Sequence, residues 1–269
     1  MDHQYVEFVI PQLNKWSTAG HRTALLTLTH IDGSSPYPIG SQMLVREDGS
    51  SYGMITGGCI EAALIDEALA ALQAQQNRSQ RYGKGSPYID IQLPCGSGLD
   101  IYFDVAPDAT QCQQIEGAIE QRQPAELEIN SEPPFRRQYL PRRRIVVIGQ
   151  GSIHAAFLPI ARAAGYQVEE VAINQPAIAF DPWTAAVCLF HDHDKELDFL
   201  AQACHSNCFY IGALGSHRAH QTRRMALLES GMDDALLEKI HSPAGLDIGS
   251  KTPHEIAISI LAQIVDVGG

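Results

Sequence analysis

The chain has no apolar run approaching the roughly 18 residues that a membrane helix needs. Its first residues, Met1-Asp2-His3-Gln4-Tyr5, lack the basic-then-apolar profile of a secretory signal. Both absences lead us to expect a cytoplasmic protein without membrane contact. Basic residues are scarce: 19 Lys and Arg stand against 31 Asp and Glu, a net charge of −12. Charge of that sign repels phosphate backbones and anionic lipid, so no nucleic-acid partner is expected. No Cys-x-x-Cys pair occurs among Cys59, Cys95, Cys112, Cys188, Cys204 and Cys208. In a reducing compartment these six are not a disulfide framework. Cys204 and Cys208 flank His205, a thin metal pattern. The plainer reading is a helix end leading to a buried strand, with cysteine acting as a small hydrophobe. No internal repeat is visible.

What remains is a folded chain of 269 residues, 45% apolar and 19% charged. That is enough for one large domain or two ordinary ones. In the first part, Ala24–His30, Gln42–Arg46 and Ser51–Ile55 read as strands, and about Ile60 to Gln75 as a helix with an apolar face. Tyr88–Leu93 and Leu99–Val105 are further strand candidates. Hairpin-type strands with segregated helices make residues 1–106 an α+β domain. Residues 107–141 read as a junction, with Ala109 to Arg122 a helix candidate within it, because Ser131-Glu132-Pro133-Pro134-Phe135-Arg136-Arg137 is too charged and proline-rich for a core element.

From residue 142 to 269, strands and helices alternate, which predicts an α/β, Rossmann-like parallel sheet covered on both faces. The first strand, Ile145-Val146-Val147-Ile148, runs into Gly149-Gln150-Gly151 and then Ser152. Glycines there let backbone approach a phosphate, and the helix N-terminus supplies unpaired N–H groups. The third glycine of the dinucleotide fingerprint is replaced by His154. The acid expected after the second strand is replaced by Asn174, with Glu169 and Glu170 inside the strand. A second turn, Gly212 to Ser216, carries Gly215 and leads to His217, Arg218 and His220. It belongs on the same ligand-binding edge, or it is an ordinary strand-to-helix turn. His191-Asp192-His193-Asp194 reads as a solvated loop. Thr252-Pro253-His254-Glu255 carries the spacing of a capping box with proline at the first helical position.

The most informative stretch is Thr56-Gly57-Gly58-Cys59-Ile60-Glu61. A cysteine at a helix N-terminus has its thiolate favoured by the dipole, and the glycines give access. Glu61 opposes this modestly. Cys95 is also flanked by glycine, in Cys95-Gly96-Ser97-Gly98.

Taken in order, Gly33-Ser34-Ser35-Pro36, Gly40 to Val45, Gly57-Gly58-Cys59-Ile60-Glu61, Cys95-Gly96, Gly149 to Gly151, His191-Asp192-His193, Tyr210 to Ser216, Pro243 to Gly249 and Thr252 to Ala257 resemble the XdhC/CoxI proteins. These are maturation factors for xanthine dehydrogenase and related molybdenum hydroxylases. The resemblance implies a homodimeric chaperone that binds the molybdenum cofactor. A cysteine desulfurase supplies a sulfido ligand, and the cofactor passes to the apoenzyme. It implies Cys59 as the contact to cofactor or persulfide, with molybdenum reached through the cofactor and no separate metal site. On this expectation Cys59 and Glu61 carry the chemistry. Gly57, Gly58, Cys95, Gly149, Gly151, Ser152, Gly212, Gly215, Ser216, His217 and Arg218 contact the cofactor. The competing expectations are an NAD(P)-dependent oxidoreductase using the same glycine turn, and a scaffold that binds partners without a small ligand.

Overall fold

The computed structural model describes residues 8–86, 96–173, 175–190 and 196–268. The chain divides into two compact units, His3–Pro141 and Arg142–Gly269. The strand expected at Tyr88–Leu93, Cys95, Asn174 and the His191–Asp194 loop lie outside the described residues.

In the first unit, the elements are α1 (Ile10–Thr18), β1 (Thr23–Asp32), β2 (Gln42–Arg46), β3 (Ser51–Gly53), α2 (Glu61–Ala74), β4 (Arg78–Gly83), β5 (Gly98–Asp104), α3 (Ala109–Glu120), β6 (Ala125–Ile129) and β7 (Phe135–Tyr139). Five strands form an antiparallel sheet in the order β3-β2-β1-β5-β4. β1 is apolar without alternation because both of its faces are covered. Ala24, Leu26 and Leu28 pack with Met43, Val45, Ile101 and Phe103 under Leu64, Ala68 and Leu72 of α2. Leu25, with Leu44 and Tyr102, faces Ile10 and Leu13 of α1 and Cys112 and Ile115 of α3. Pro11 sits in the first turn of α1, where its missing N–H costs nothing. Asp108 caps α3 by accepting from the backbone N–H groups of Thr110 and Gln111.

The stretch read above as a junction holds α3 where the helix candidate lay, and beyond it a hairpin that the sequence did not suggest. β6 and β7 pair antiparallel. Leu127, Ile129 and Tyr139 enter the second core of the same unit, while Glu126, Glu128, Arg136 and Gln138 stay exposed.

In the second unit, the elements are β8 (Arg144–Gly149), α4 (Ser152–Ala163), β9 (Gln167–Glu170), β10 (Thr184–Leu189), α5 (Leu197–His205), β11 (Tyr210–Ala213), α6 (His217–Glu229), α7 (Asp234–Leu237), β12 (Ile240–His241) and α8 (Pro253–Gly268). All pairings in its sheet are parallel, in the order β12-β11-β10-β8-β9. Alternate residues of β8 serve two cores. Ile145 and Val147 pack under α4 and α8; Val146 and Ile148 pack under α5, α6 and α7. α4 ends in a Schellman motif, with Gly165 at φ +88, Gly165 N–H donating to Arg162 O and Tyr166 N–H to Ala161 O. α8 opens on the capping box: the Glu255 carboxylate accepts from Thr252 N–H at 2.8 Å, and Thr252 Oγ1 accepts from Glu255 N–H at 3.3 Å.

No helix lies among the described residues between β9 and β10. The chain crosses back, so β10 pairs with β8 rather than with β9. Counted within the unit, the strand order is 2-1-3-4-5, which puts the topological switch point between β8 and β10.

Beside that point lies a buried ion pair. Glu196 and Arg223 both have fully buried side chains, with Nε to Oε1 at 2.5 Å. Arg223 also donates to Ser242 Oγ at 2.9 Å and to the Leu214 carbonyl at 2.7 Å. Cys188 Sγ donates to Glu196 Oε2 at 3.2 Å. Burial first, and then the Glu196 charge, push the Cys188 thiol well above its ordinary value. Breaking such a pair leaves an unpaired buried charge, so Arg223→Met is expected to destabilise the second unit by about 3–5 kcal/mol. The Glu196→Gln/Arg223→Met double variant should recover part of that loss in urea denaturation.

Candidate functional site

In the first unit, Cys59 is exposed and lies two residues before α2. The loop that presents it is pinned by one carboxylate. Glu61 accepts from Thr56 N–H at 2.8 Å and Thr56 Oγ1–H at 2.6 Å, and from Gly58 N–H at 2.8 Å and Ile60 N–H at 3.3 Å. Gly57 and Gly58 make the required reversal at φ +76 and +100, a region costly for residues with a Cβ. A Cβ on Gly58 would meet nothing within 4 Å, so the space over the loop is open. Partial burial pushes the Glu61 carboxyl up. The bonds from Thr56 and Gly58 outweigh this and hold it below its usual range. Glu61 is thus a carboxylate committed to the loop's own donors. Ile60, at the N-cap, offers no side-chain acceptor.

The neighbouring loops close around this one. A Cβ on Gly57 would lie 3.7 Å from both Pro36 and Tyr37. Ser34 N–H donates to Ser97 Oγ at 2.9 Å, and Ser97 Oγ–H donates back to the Ser34 carbonyl at 2.6 Å. The Gly33-to-Pro36 stretch therefore touches both the Gly57-Gly58-Cys59 loop and the Gly96-Ser97-Gly98 segment. Tyr37 Oη donates to Met54 Sδ at 3.5 Å. Burial raises Cys112, Cys204 and Cys208 to about 11, so these thiols stay protonated at neutral pH.

In the second unit, Gly149 and Gly151 do different jobs. A Cβ on Gly149 would lie 2.7 Å from Leu189 Cβ and 2.8 Å from the Leu189 carbonyl, so this glycine permits β8 and β10 to meet at the switch point. Gly151, at φ +91, has open space where a Cβ would stand. It caps α4 without a side-chain bond, and Ser152 opens the helix exposed. His154, in the third fingerprint position, approaches Glu170 at 3.6 Å. Glu170 also pairs with Arg162, and Glu169 with Arg144, so the acids of β9 are engaged within the unit.

The second glycine turn is shaped by packing. A Cβ on Gly212 would fall within 2.6 Å of the Tyr210 ring. Gly215 has φ +134, and Ser216 caps α6 by accepting from Ala219 N–H at 3.3 Å. His217 and Arg218 follow, exposed. Sequence reasoning missed the Glu196–Arg223 pair, which links residues 27 apart. It also missed the use of Glu61 as a loop clamp; the Thr56/Glu61 spacing was its one available signal. Among the described residues, no group of three or more His, Cys, Asp or Glu is placed to hold a metal ion.

These features define a class: a two-unit protein with a carboxylate-pinned cysteine loop in an antiparallel-sheet unit, and a parallel-sheet unit whose glycine turns follow the carboxyl ends of β8 and β11. The comparisons with known proteins agree. A family model described as the XdhC and CoxI family matches residues 16–83, and one described as the XdhC Rossmann domain matches residues 145–264. The molybdenum cofactor insertion chaperone PaoD of Escherichia coli is 32% identical over 268 residues, covering 93% of this chain and 84% of that protein. The chain belongs to the XdhC/CoxI family. A Bacillus subtilis protein described as a probable xanthine dehydrogenase subunit is 23% identical, over 90% of this chain and 92% of its own length. A crystal structure described as a xanthine dehydrogenase from Bacillus halodurans shares the fold, with a TM-score of 0.71 at 21% identity, over 96% of this chain and 95% of that one.

Two outcomes are expected at the loop. Glu61→Ala should speed amide exchange at Thr56, Gly58 and Ile60 by about tenfold or more, because hydrogen bonds to a charged acceptor contribute roughly 1.5–3 kcal/mol. The Glu61 pKa is lowered by folding, so its contribution is present above the ordinary carboxylate range and lost as pH falls through the lowered value. The amide NMR signals of Thr56 and Gly58 should report that loss on acidification and be insensitive to pH near neutrality.

Proposed function

We propose that this protein is a chaperone for the molybdenum cofactor. It holds the cofactor as cargo while a cysteine desulfurase supplies a terminal sulfido ligand, and it hands the product to a xanthine dehydrogenase-type apoenzyme. The single observation that carries this reading is Cys59: an exposed sulfur at the head of α2, on a loop whose shape is fixed by Glu61. A thiolate is a soft ligand suited to a metal or to a persulfide. Family membership and the name of the 32% identical relative support the choice of cargo.

In the second unit, the open N-terminus of α4 at Gly151 and Ser152 suits a phosphate group, for which helix N–H groups and the dipole are favourable. Arg218, exposed beside His217 at the head of α6, adds positive charge near the second turn. The oxidoreductase alternative has less support, since His154 replaces the third glycine and both acids of β9 are ion-paired. The partners that this reading calls for are the apoenzyme, the desulfurase and a second copy of the chain, in the cytoplasm.

Metal analysis and mass spectrometry of the purified protein test it. The wild type is expected to carry or take up molybdenum cofactor. Cys59→Ser is expected to lose most of the bound molybdenum and to fail in maturation of the apoenzyme while keeping its fold. A wild type that takes up no cofactor, or a Cys59→Ser variant equal to wild type, would overturn the proposal.

A further inference from the structure

The first unit contains a cleft of about 340 Å³, within the size range of small-ligand sites. Part of its lining is apolar and flat: Pro133, Pro134 and Phe135, which lead into β7. The rest is polar. His30 comes from β1, Arg81 from β4 and Asp100 from β5, with Glu132 beside the prolines.

The polar side is organised around Arg81. Its guanidinium donates to Asp100 at 3.0 Å, to Asp32 at 3.2 Å and to the Lys84 carbonyl at 2.8 Å. Every nitrogen is thereby engaged, so Arg81 has little left for an incoming anion. The carboxylates are less saturated, because each has about four lone-pair sites. Glu132 is exposed and forms no ion pair with another described residue. Around the cleft, Asp32, Asp100 and Glu132 outnumber Arg81 and Lys84. This balance disfavours phosphate and favours a neutral ligand that donates hydrogen bonds.

A planar ring suits such a cleft if one edge carries an exocyclic amino group beside a ring N–H. Those two donors match the two oxygens of one carboxylate, and the ring face packs on Phe135 and the prolines. Pterins and guanine share this edge. The cleft is also tied to the cysteine loop. Asp32, bonded to Arg81, starts the segment that ends with Tyr37 against Gly57. The five steps from Asp32 to Tyr37 span at most about 18 Å.

We propose that this cleft binds the amino-pyrimidinone ring of a pterin or guanine, with its donor edge on Asp100 or Glu132 and its face on Phe135. This rests on the chaperone reading for its choice of pterin, because the molybdenum cofactor carries its metal on one.

The test titrates the full-length protein with unsubstituted pterin, guanosine and adenosine, by pterin fluorescence and calorimetry. Adenosine lacks the paired donor edge. Binding of pterin alone assigns the cleft to the cofactor ring. Binding of guanosine as well assigns it to the shared edge. Either result supports the proposal if Glu132→Gln or His30→Ala, both at exposed positions, raises the dissociation constant by about fivefold or more. The proposal is overturned if neither pterin nor guanosine binds below about 1 mM, if adenosine binds as tightly, or if both variants bind like wild type. Molybdenum retained through Cys59 without pterin binding here would sink the cleft alone. Pterin binding here without molybdenum uptake would sink the chaperone reading alone.

Discussion

The buried pair of Glu196 and Arg223 holds the carboxyl-terminal edge of the second unit's sheet together. Removing both charges from water costs several kcal/mol for each ion, and their attraction offsets this only if the remaining polar atoms are satisfied. Here they are. Arg223 reaches Ser242 just past β12 and the Leu214 carbonyl just past β11, and Glu196 receives the Cys188 thiol near the end of β10. One ion pair thus gathers the ends of three parallel strands. Leu214 immediately precedes Gly215 and Ser216, so the second glycine turn is anchored at its root.

The first unit solves a different problem. Its loop must leave a sulfur accessible without letting the backbone collapse over it. Burial cannot do that, because a buried sulfur, such as Cys112 or Cys204, is closed to an incoming ligand. The loop instead exposes Cys59 and places its order in the backbone, through Glu61 and two glycines at positive φ. Rigidity and exposure are supplied by different residues of one short loop.

Much of this was legible in the sequence, for identifiable reasons. β8 and its glycine turn, the helix after Cys59 and the capping box of α8 are local patterns, and each is seen in the structure. The β6–β7 hairpin was hidden by its charge. Its alternation is regular, but Arg136, Glu126 and Glu128 fill the outward positions and Arg137 is buried on the inward face. β4 is a polar edge strand, Arg78–Gly83, with little apolar signal. The strand order of the second unit depends on where β10 pairs, and no local pattern encodes that. Cys59 could be singled out from its glycines, whereas the commitment of Glu61 could be seen only once the four donors were placed around it.

That commitment decides what the cysteine loop will ignore. Backbone N–H groups converging near a helix head ordinarily attract whatever small anions the surroundings supply. In this loop the N–H groups of Thr56, Gly58 and Ile60 already face Glu61. The chain carries its own resident counter-ion, covalently attached and always at full occupancy. Those three N–H groups are therefore closed to free phosphate and nucleotides, and the loop keeps its shape without a bound anion.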